Sequence, residues 1–138
     1  MGDVALSVLL DTHVWIWTQE TPERLGPRTK RLLLATEEDT CICPISTLEI
    51  ARLVAAGDIQ LSIPLSDWIA QSMVDLSAET VPMTHEVAME AYALPGTFHR
   101  DPADRLLVAA ARRNGLTLVT ADDRMLAYPH VRSQDARR

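Results

Sequence analysis

The sequence predicts an α/β fold with a central parallel β-sheet, and three observations support that class. Short apolar runs alternate with longer stretches of helical periodicity, the pattern of strands joined by crossover helices. Gly, Pro, Ser, Thr and Asp residues punctuate the joins, where turns and caps need them. The chain has 138 residues and is 47% hydrophobic. That suits one domain, which at this length buries roughly two-thirds of its unfolded surface without staples.

The elements follow in order. Residues 4–10 read as a first buried strand, and residues 12–18 start a helix. Gly26-Pro27 interrupts the chain before a second helix at residues 27–36, which carries Leu32, Leu33 and Leu34. Residues 40–45 form a second strand. Ser46 is a natural N-cap, and Glu49 three residues on completes a capping-box pattern for a helix over residues 47–56, closed by Gly57. Residues 59–63 read as a short extended piece ended by Pro64, and Ser66 or Asp67 caps a helix to Asp75. Residues 79–82 are a weak third strand. Thr84 caps a helix with Val87, Ala88, Ala91 and Leu94 on one face, stopped by Pro95-Gly96. After a polar loop at residues 97–101, Pro102 sits at a helix start. Residues 103–114 make the best helix of the chain, ended by Gly115 as a left-handed cap. Residues 116–120 are a fourth strand, residues 121–127 a short helix, and residues 129–133 an edge strand. One domain therefore spans residues 1–133, with residues 134–138 as a flexible tail.

Charge narrows the function. Thirteen Lys+Arg against 19 Asp+Glu leave a net charge of −6, which excludes a basic domain held to nucleic acid by counterion release. Aromatic residues are 4%, too few for a platform that stacks a single strand. Nucleic acid remains open as a substrate, because metal ions can join an acidic site to phosphate. The apolar run before Asp11 lacks a basic start and a cleavage site, and is far short of the ~20 residues that span a bilayer. Cys41 and Cys43 share a strand face, cannot easily bond to each other, and read as buried thiols of a reducing, cytoplasmic protein.

The acids sit in telling places. In open parallel sheets, active sites form beyond the C-terminal ends of the strands. Asp11 directly follows strand one, Glu49 lies in the first turn after strand two, and Asp122 follows strand four. Asp101 and Asp104 flank the start of the helix leading into strand four, with Asp104 on the face of Leu107, Val108 and Ala111. Each acid alone is also explained as a helix cap or a first-turn anion. Together they form a cluster whose members raise one another's pKa unless a cation intervenes. An all-oxygen set suits Mg²⁺ or Mn²⁺ and phosphoryl chemistry.

At these residues the chain resembles the PIN domains, and most closely the VapC-type toxins of bacterial type II toxin–antitoxin pairs. Leu9-Leu10-Asp11-Thr12-His13 looks like the family's first motif and Ser46-Thr47-Leu48-Glu49-Ile50 its second. The run from Arg100 through Asp101, Pro102, Ala103, Asp104, Arg105, Leu106, Leu107 and Val108 to Ala109 resembles the third, and Thr120-Ala121-Asp122 the fourth. The resemblance implies a three-layer α/β/α fold and a quartet of Asp11, Glu49, Asp104 and Asp122. It also implies a Mg²⁺-dependent endoribonuclease that hydrolyses RNA phosphodiester bonds with metal-activated water. A cognate VapB-type antitoxin, whose segment fills the acidic groove, and a homodimer are implied as well. The alternative is a non-catalytic PIN-like binding or assembly module.

Other residues have a place in that picture. His99 and His13 stand beside the acids and can assist proton transfer or contact RNA. Thr120 can present its hydroxyl to a metal-bound water, and Arg100 or Arg105 can take a phosphate or pair with an acid. Trp15 and Trp17, with Val14 and Ile16, read as core or subunit interface. Leu53, Val54, Ile59, Leu61 and Trp68 either line an antitoxin groove or pack on the domain's own core. Rival chemistries lack their residues. The only lysine, Lys30, is misplaced for a receiver domain, His13 stands where an aspartate-nucleophile phosphatase needs a second Asp, and no Gly-rich phosphate loop is present.

Overall fold

The computed structural model describes residues 7–35 and 39–138. Five parallel strands lie in the order β3-β2-β1-β4-β5. They are β1 (Val8–Leu10), β2 (Thr40–Ile42), β3 (Glu79–Thr80), β4 (Thr117–Thr120) and β5 (Ser133–Asp135). The helices are α1 (Thr12–Glu20), α2 (Pro27–Ala35), α3 (Pro44–Ala55), α4 (Leu65–Asp75), α5 (His85–Glu90), α6 (Pro102–Asn114) and α7 (Asp123–Ala127). Among the described residues, no helix is long and apolar enough to cross a membrane.

Strand alternation builds the three layers. Val8, Leu10, Ile42 and Val119 face one apolar cluster, completed by Trp15, Leu25, Ile50 and Trp68 from the helices on that side. Leu9, Cys41 and Leu118 face the other, with Val87, Leu107, Val108 and Met125. Buried on both faces, the central strands β1, β2 and β4 read as largely apolar runs rather than alternating ones. Trp15 stacks on Trp68 at 5.3 Å between ring centroids and donates its indole N–H to Ser72 Oγ at 3.0 Å. Leu53, Val54, Ile59 and Leu61 pack against the same cluster, so they serve this domain's own core. Both cysteines are free and buried, as their spacing implied.

Local signals located several boundaries. Thr84 caps α5 by accepting from Val87 N–H at 3.1 Å, and Gly115 closes α6 at φ +63°. Other boundaries differ from expectation. The first strand occupies Val8–Leu10, and residues 4–6 of the expected run lie outside the described residues, as does Thr36 of the second helix. Strand β2 stops at Ile42, because α3 begins at Pro44, with Cys43 as its N-cap and Ser46 already inside the first turn. Neither Ser66 nor Asp67 caps α4; Pro64 holds that position without a side-chain bond. Residues 59–63 form no strand. Helix α5 ends at Glu90, ahead of the Pro95-Gly96 stop.

The largest correction concerns the C-terminal residues. The edge strand is Ser133–Asp135, not residues 129–133, because Leu118, Val119 and Thr120 pair with Ser133, Gln134 and Asp135. The expected loose tail is therefore ordered. Gly26 N–H donates to Ala136 O at 2.9 Å, and Thr29 donates its N–H (2.8 Å) and hydroxyl (2.9 Å) to Arg138 O. A Cβ on Gly26 would stand 2.2 Å from the Arg138 carbonyl carbon, so the crossing needs glycine.

Candidate active site

The strand order places the site. Chain connections leave β1 toward β2 and β3, then return to β4 on its other side. The β1–β4 boundary is thus the point where the order reverses, and a crevice opens beyond the strand ends there. Asp11 leaves β1 at that point, and Asp122 follows β4.

Each acid is held differently. Asp11 caps α1 and is 7% exposed. Its Oδ1 accepts Thr12 N–H at 2.7 Å and its Oδ2 accepts the Thr120 hydroxyl at 2.7 Å. Burial pushes its pKa up, outweighing those two bonds and the nearby His13. Glu49 is half-buried one turn into α3, and Thr12 Oγ1 donates to its Oε1 at 2.6 Å. That hydroxyl also lies 3.0 Å from Ser46 Oγ. The capping box expected between Ser46 and Glu49 is absent. Glu49 bonds across to α1, because α3 starts early enough to turn Ser46 inward.

Asp104, in the first turn of α6, has a side chain only 14% exposed. Burial, then the charges of Asp101, Asp11, Asp122 and Glu49, push its pKa up to about 7. Asp101 caps the same helix, accepting Asp104 N–H at 3.1 Å. Asp122 caps α7: its Oδ1 accepts Arg124 N–H at 2.8 Å and Met125 N–H at 3.3 Å, and its Oδ2 accepts Arg124 Nη2 at 3.2 Å. Burial raises the Asp122 pKa, but the Arg124 side chain and the two backbone N–H groups outweigh it and leave it lowered.

The neighbours behave less uniformly. His99 Nδ1 accepts Asp101 N–H at 3.4 Å, which leaves the neutral ring's proton on Nε2. Nε2 lies 3.1 Å from Asp104 Oδ2, off the line of a hydrogen bond and with no other partner among the described residues. Burial, with Arg124 second, lowers the His99 pKa. The Thr120 proton is spent on Asp11 while its oxygen accepts Asp122 N–H at 3.0 Å, so it ties the two strand exits together. Among the described residues, Arg105 pairs with no acid and lines no cavity. It donates to the carbonyls of His99 (2.9 Å), Ala91 (2.9 Å) and Phe98 (2.8 Å), pinning the loop that carries His99. A half-buried guanidinium satisfied by three carbonyls has no reason to turn to a phosphate. Arg100, His85 and His130 are exposed.

All four acids of the quartet, with Asp101, line one cavity of about 440 Å³. Its other walls carry His13, Trp17, Arg52 and Arg124. Trp17, half-buried, has the Arg24 guanidinium 5.5 Å from its ring centre. Sequence reasoning missed Thr12 and Arg124, although both follow a motif acid within two residues. Among the described residues, no three His, Cys, Asp or Glu side chains close into a ready-made coordination cage. The donors still fit Mg²⁺, which uses one or two carboxylates and keeps its waters. A carboxyl pushed up to about 7 by burial and then by its acidic neighbours marks a site whose charge a cation would relieve.

The PIN domain family model matches residues 8–131. The chain belongs to the PIN domain family. This PIN domain is 39% identical over 126 residues to Ribonuclease VapC22 of Mycobacterium tuberculosis, covering 91% of this chain and 95% of the relative. Its fold matches the DNA-bound VapBC complex of Salmonella typhimurium at TM-score 0.67 and 22% identity, with 94% and 98% of the two chains covered. VapBC2 of Rickettsia felis, bound to a promoter DNA fragment, matches at TM-score 0.66 and 16% identity, again with 94% and 98% covered. The three-layer α/β/α architecture with a central parallel sheet expected from the sequence is the one this chain has.

Proposed function

We propose that this chain is a Mg²⁺-dependent endoribonuclease and the toxin of a toxin–antitoxin pair. The observation that carries the reading is Asp104: a carboxyl raised to about 7 by burial and four other acids, in a cavity at the sheet's switch point. The ribonuclease name of the 39% identical relative supports the substrate class. Asp11 and Asp104 would hold the principal ion. Glu49 and Asp122 would ligate directly, hold its waters or orient a second ion. When bound, Mg²⁺ would activate a water and neutralise charge growing on the phosphate.

The chain's own residues do the positioning. Thr12 fixes Asp11 and Glu49 relative to each other, and Thr120 fixes Asp11 relative to the Asp122 turn. Arg105 holds the loop that brings His99 to Asp104. Mn²⁺ fits the same donors. A VapB-type antitoxin is the proposed partner, because solved structures of the same fold are VapBC complexes and an acidic cavity suits a basic inhibitory segment. A homodimer and a cytoplasmic location complete the proposal. The test is cleavage of total RNA with Mg²⁺, with EDTA, and with folded Asp11→Asn and Asp104→Asn variants. Cleavage at the parent rate by either variant overturns the assignment, and a folded chain that cleaves no RNA in Mg²⁺ or Mn²⁺ is a non-catalytic PIN module.

A further inference from the structure

We propose that Arg124 is the resident counter-cation of the acid cluster, displaced from Asp122 and Asp104 by the divalent ion and then free to bind a substrate phosphate. The proposal rests on the ribonuclease reading above and assigns a role to a side chain that reading leaves unused.

Oxygen by oxygen, the geometry leaves little choice. Asp122 Oδ1 is committed to capping α7 through two backbone N–H groups, with Arg124 Nε a distant third at 3.4 Å. Among the described residues, Asp122 Oδ2 accepts only from Arg124 Nη2, at 3.2 Å. The same nitrogen stands 3.9 Å from Asp104 Oδ2. One guanidinium nitrogen therefore stands within 4 Å of an oxygen of each carboxylate, where a cation held by Asp104 and Asp122 would compete with it. A cation held by Asp122 would compete with Arg124 for Oδ2, the oxygen that the backbone cap leaves open.

Arg124 is also built to leave. Its side chain is 62% exposed, whereas those of Asp104 and Asp122 are 14% and 26% exposed. Its α7 position forms the rim between the acid cavity and a second hollow of about 310 Å³ beside Thr97, Phe98 and Tyr128. A guanidinium released from Asp122 would stay on that rim, within reach of a phosphodiester bound at the acids. Arginine's fork suits that group bidentately. Arg52 and His13 line the same cavity, but neither forms an ion pair with an acid among the described residues.

The test compares Arg124→Gln and Arg124→Lys with the full parent chain. Mg²⁺ affinity is read by calorimetry and by the Mg²⁺-dependent rise in Tm. Cleavage of a short single-stranded RNA is measured at saturating Mg²⁺. Arg124→Gln is expected to bind Mg²⁺ roughly two- to fivefold tighter, the scale of one exposed ion pair. Its KM for RNA is expected to rise about five- to tenfold, with kcat changed less, for loss of a charge-assisted contact. Arg124→Lys, which keeps the charge, is expected to fall between. Unchanged or weaker Mg²⁺ binding by Arg124→Gln overturns the displacement. Tighter Mg²⁺ binding with an unchanged KM overturns the transfer to phosphate. A parent that neither binds Mg²⁺ nor cleaves RNA overturns the ribonuclease reading itself, whereas an active parent matched by Arg124→Gln in both measures removes only the role given to Arg124.

Discussion

Helix α6 carries a partly buried acid against each end, and the two are treated in opposite ways. At its C-terminal end, Glu90 of α5 accepts from Arg112 at 2.9 Å and Arg113 at 3.4 Å. At its N-terminal end, Asp104 faces Asp101, Asp11, Asp122 and Glu49, and among the described residues its one arginine contact is Arg124 at 3.9 Å. The two carboxyls are similarly exposed, at 19% and 14%. The helix dipole favours the arginines in the last turn and the acid in the first, so it helps both ends and explains neither difference. What differs is the neighbourhood. The Glu90 end is closed on itself as a structural clamp, and the Asp104 end is left with a charge for something else to balance.

Asp104→Asn breaks this contrast hardest. RNA cleavage in Mg²⁺ is expected to fall by on the order of a hundredfold or more, the usual cost of removing a group aimed at developing charge. Glu90→Gln is expected to leave kcat/KM within about twofold of the parent in the same assay. Its effect should appear in denaturant unfolding instead, as a loss of about 1–2 kcal/mol from leaving two arginines without their acid. A Glu90 variant that loses cleavage while keeping its stability would erase the contrast.

The smallest effect is the most specific. Asp104 titrates near 7 in the folded chain against 3.8 for a free aspartate. Its charge therefore opposes folding in full above pH 7, and the penalty disappears as pH falls through the window from 7 to 3.8. In EDTA at pH 8, Asp104→Asn is expected to melt higher than the parent, by about 1–3 °C. The advantage should shrink on going to pH 5. Adding Mg²⁺ at pH 8 should reverse the order, because the parent gains the ion and the variant does not.

These contrasts were only partly legible in the sequence. That Asp11, Glu49, Asp104 and Asp122 gather at one cavity was legible because strand ends and helix starts are local features that motifs mark directly. Thr84 and Gly115 were found for the same reason. Glu49's partner was not, since Thr12 lies on another helix and only tertiary packing joins them. Arg105 was read as a phosphate or acid ligand because its charge is visible in the sequence and the three carbonyls around it are not. Strand β5 was displaced because Ser133, Gln134 and Asp135 are polar, and their register comes from pairing with β4 rather than from any apolar pattern. Residues 59–63 misled in the other direction: Ile59, Leu61 and Ile63 alternate like a strand, but they pack their side chains on the core from an irregular segment.

The three tryptophans divide the molecule's optical signal. Trp15 and Trp68 are sealed and stacked together, so their emission follows global unfolding. Trp17, half-buried on the wall of the acid cavity, stands where an entering ion or nucleotide would alter its surroundings. A Mg²⁺ or RNA titration followed by fluorescence at constant temperature therefore reads the site through one intrinsic probe. In Trp17→Phe that titration signal should vanish, while the unfolding transition keeps the emission of the other two.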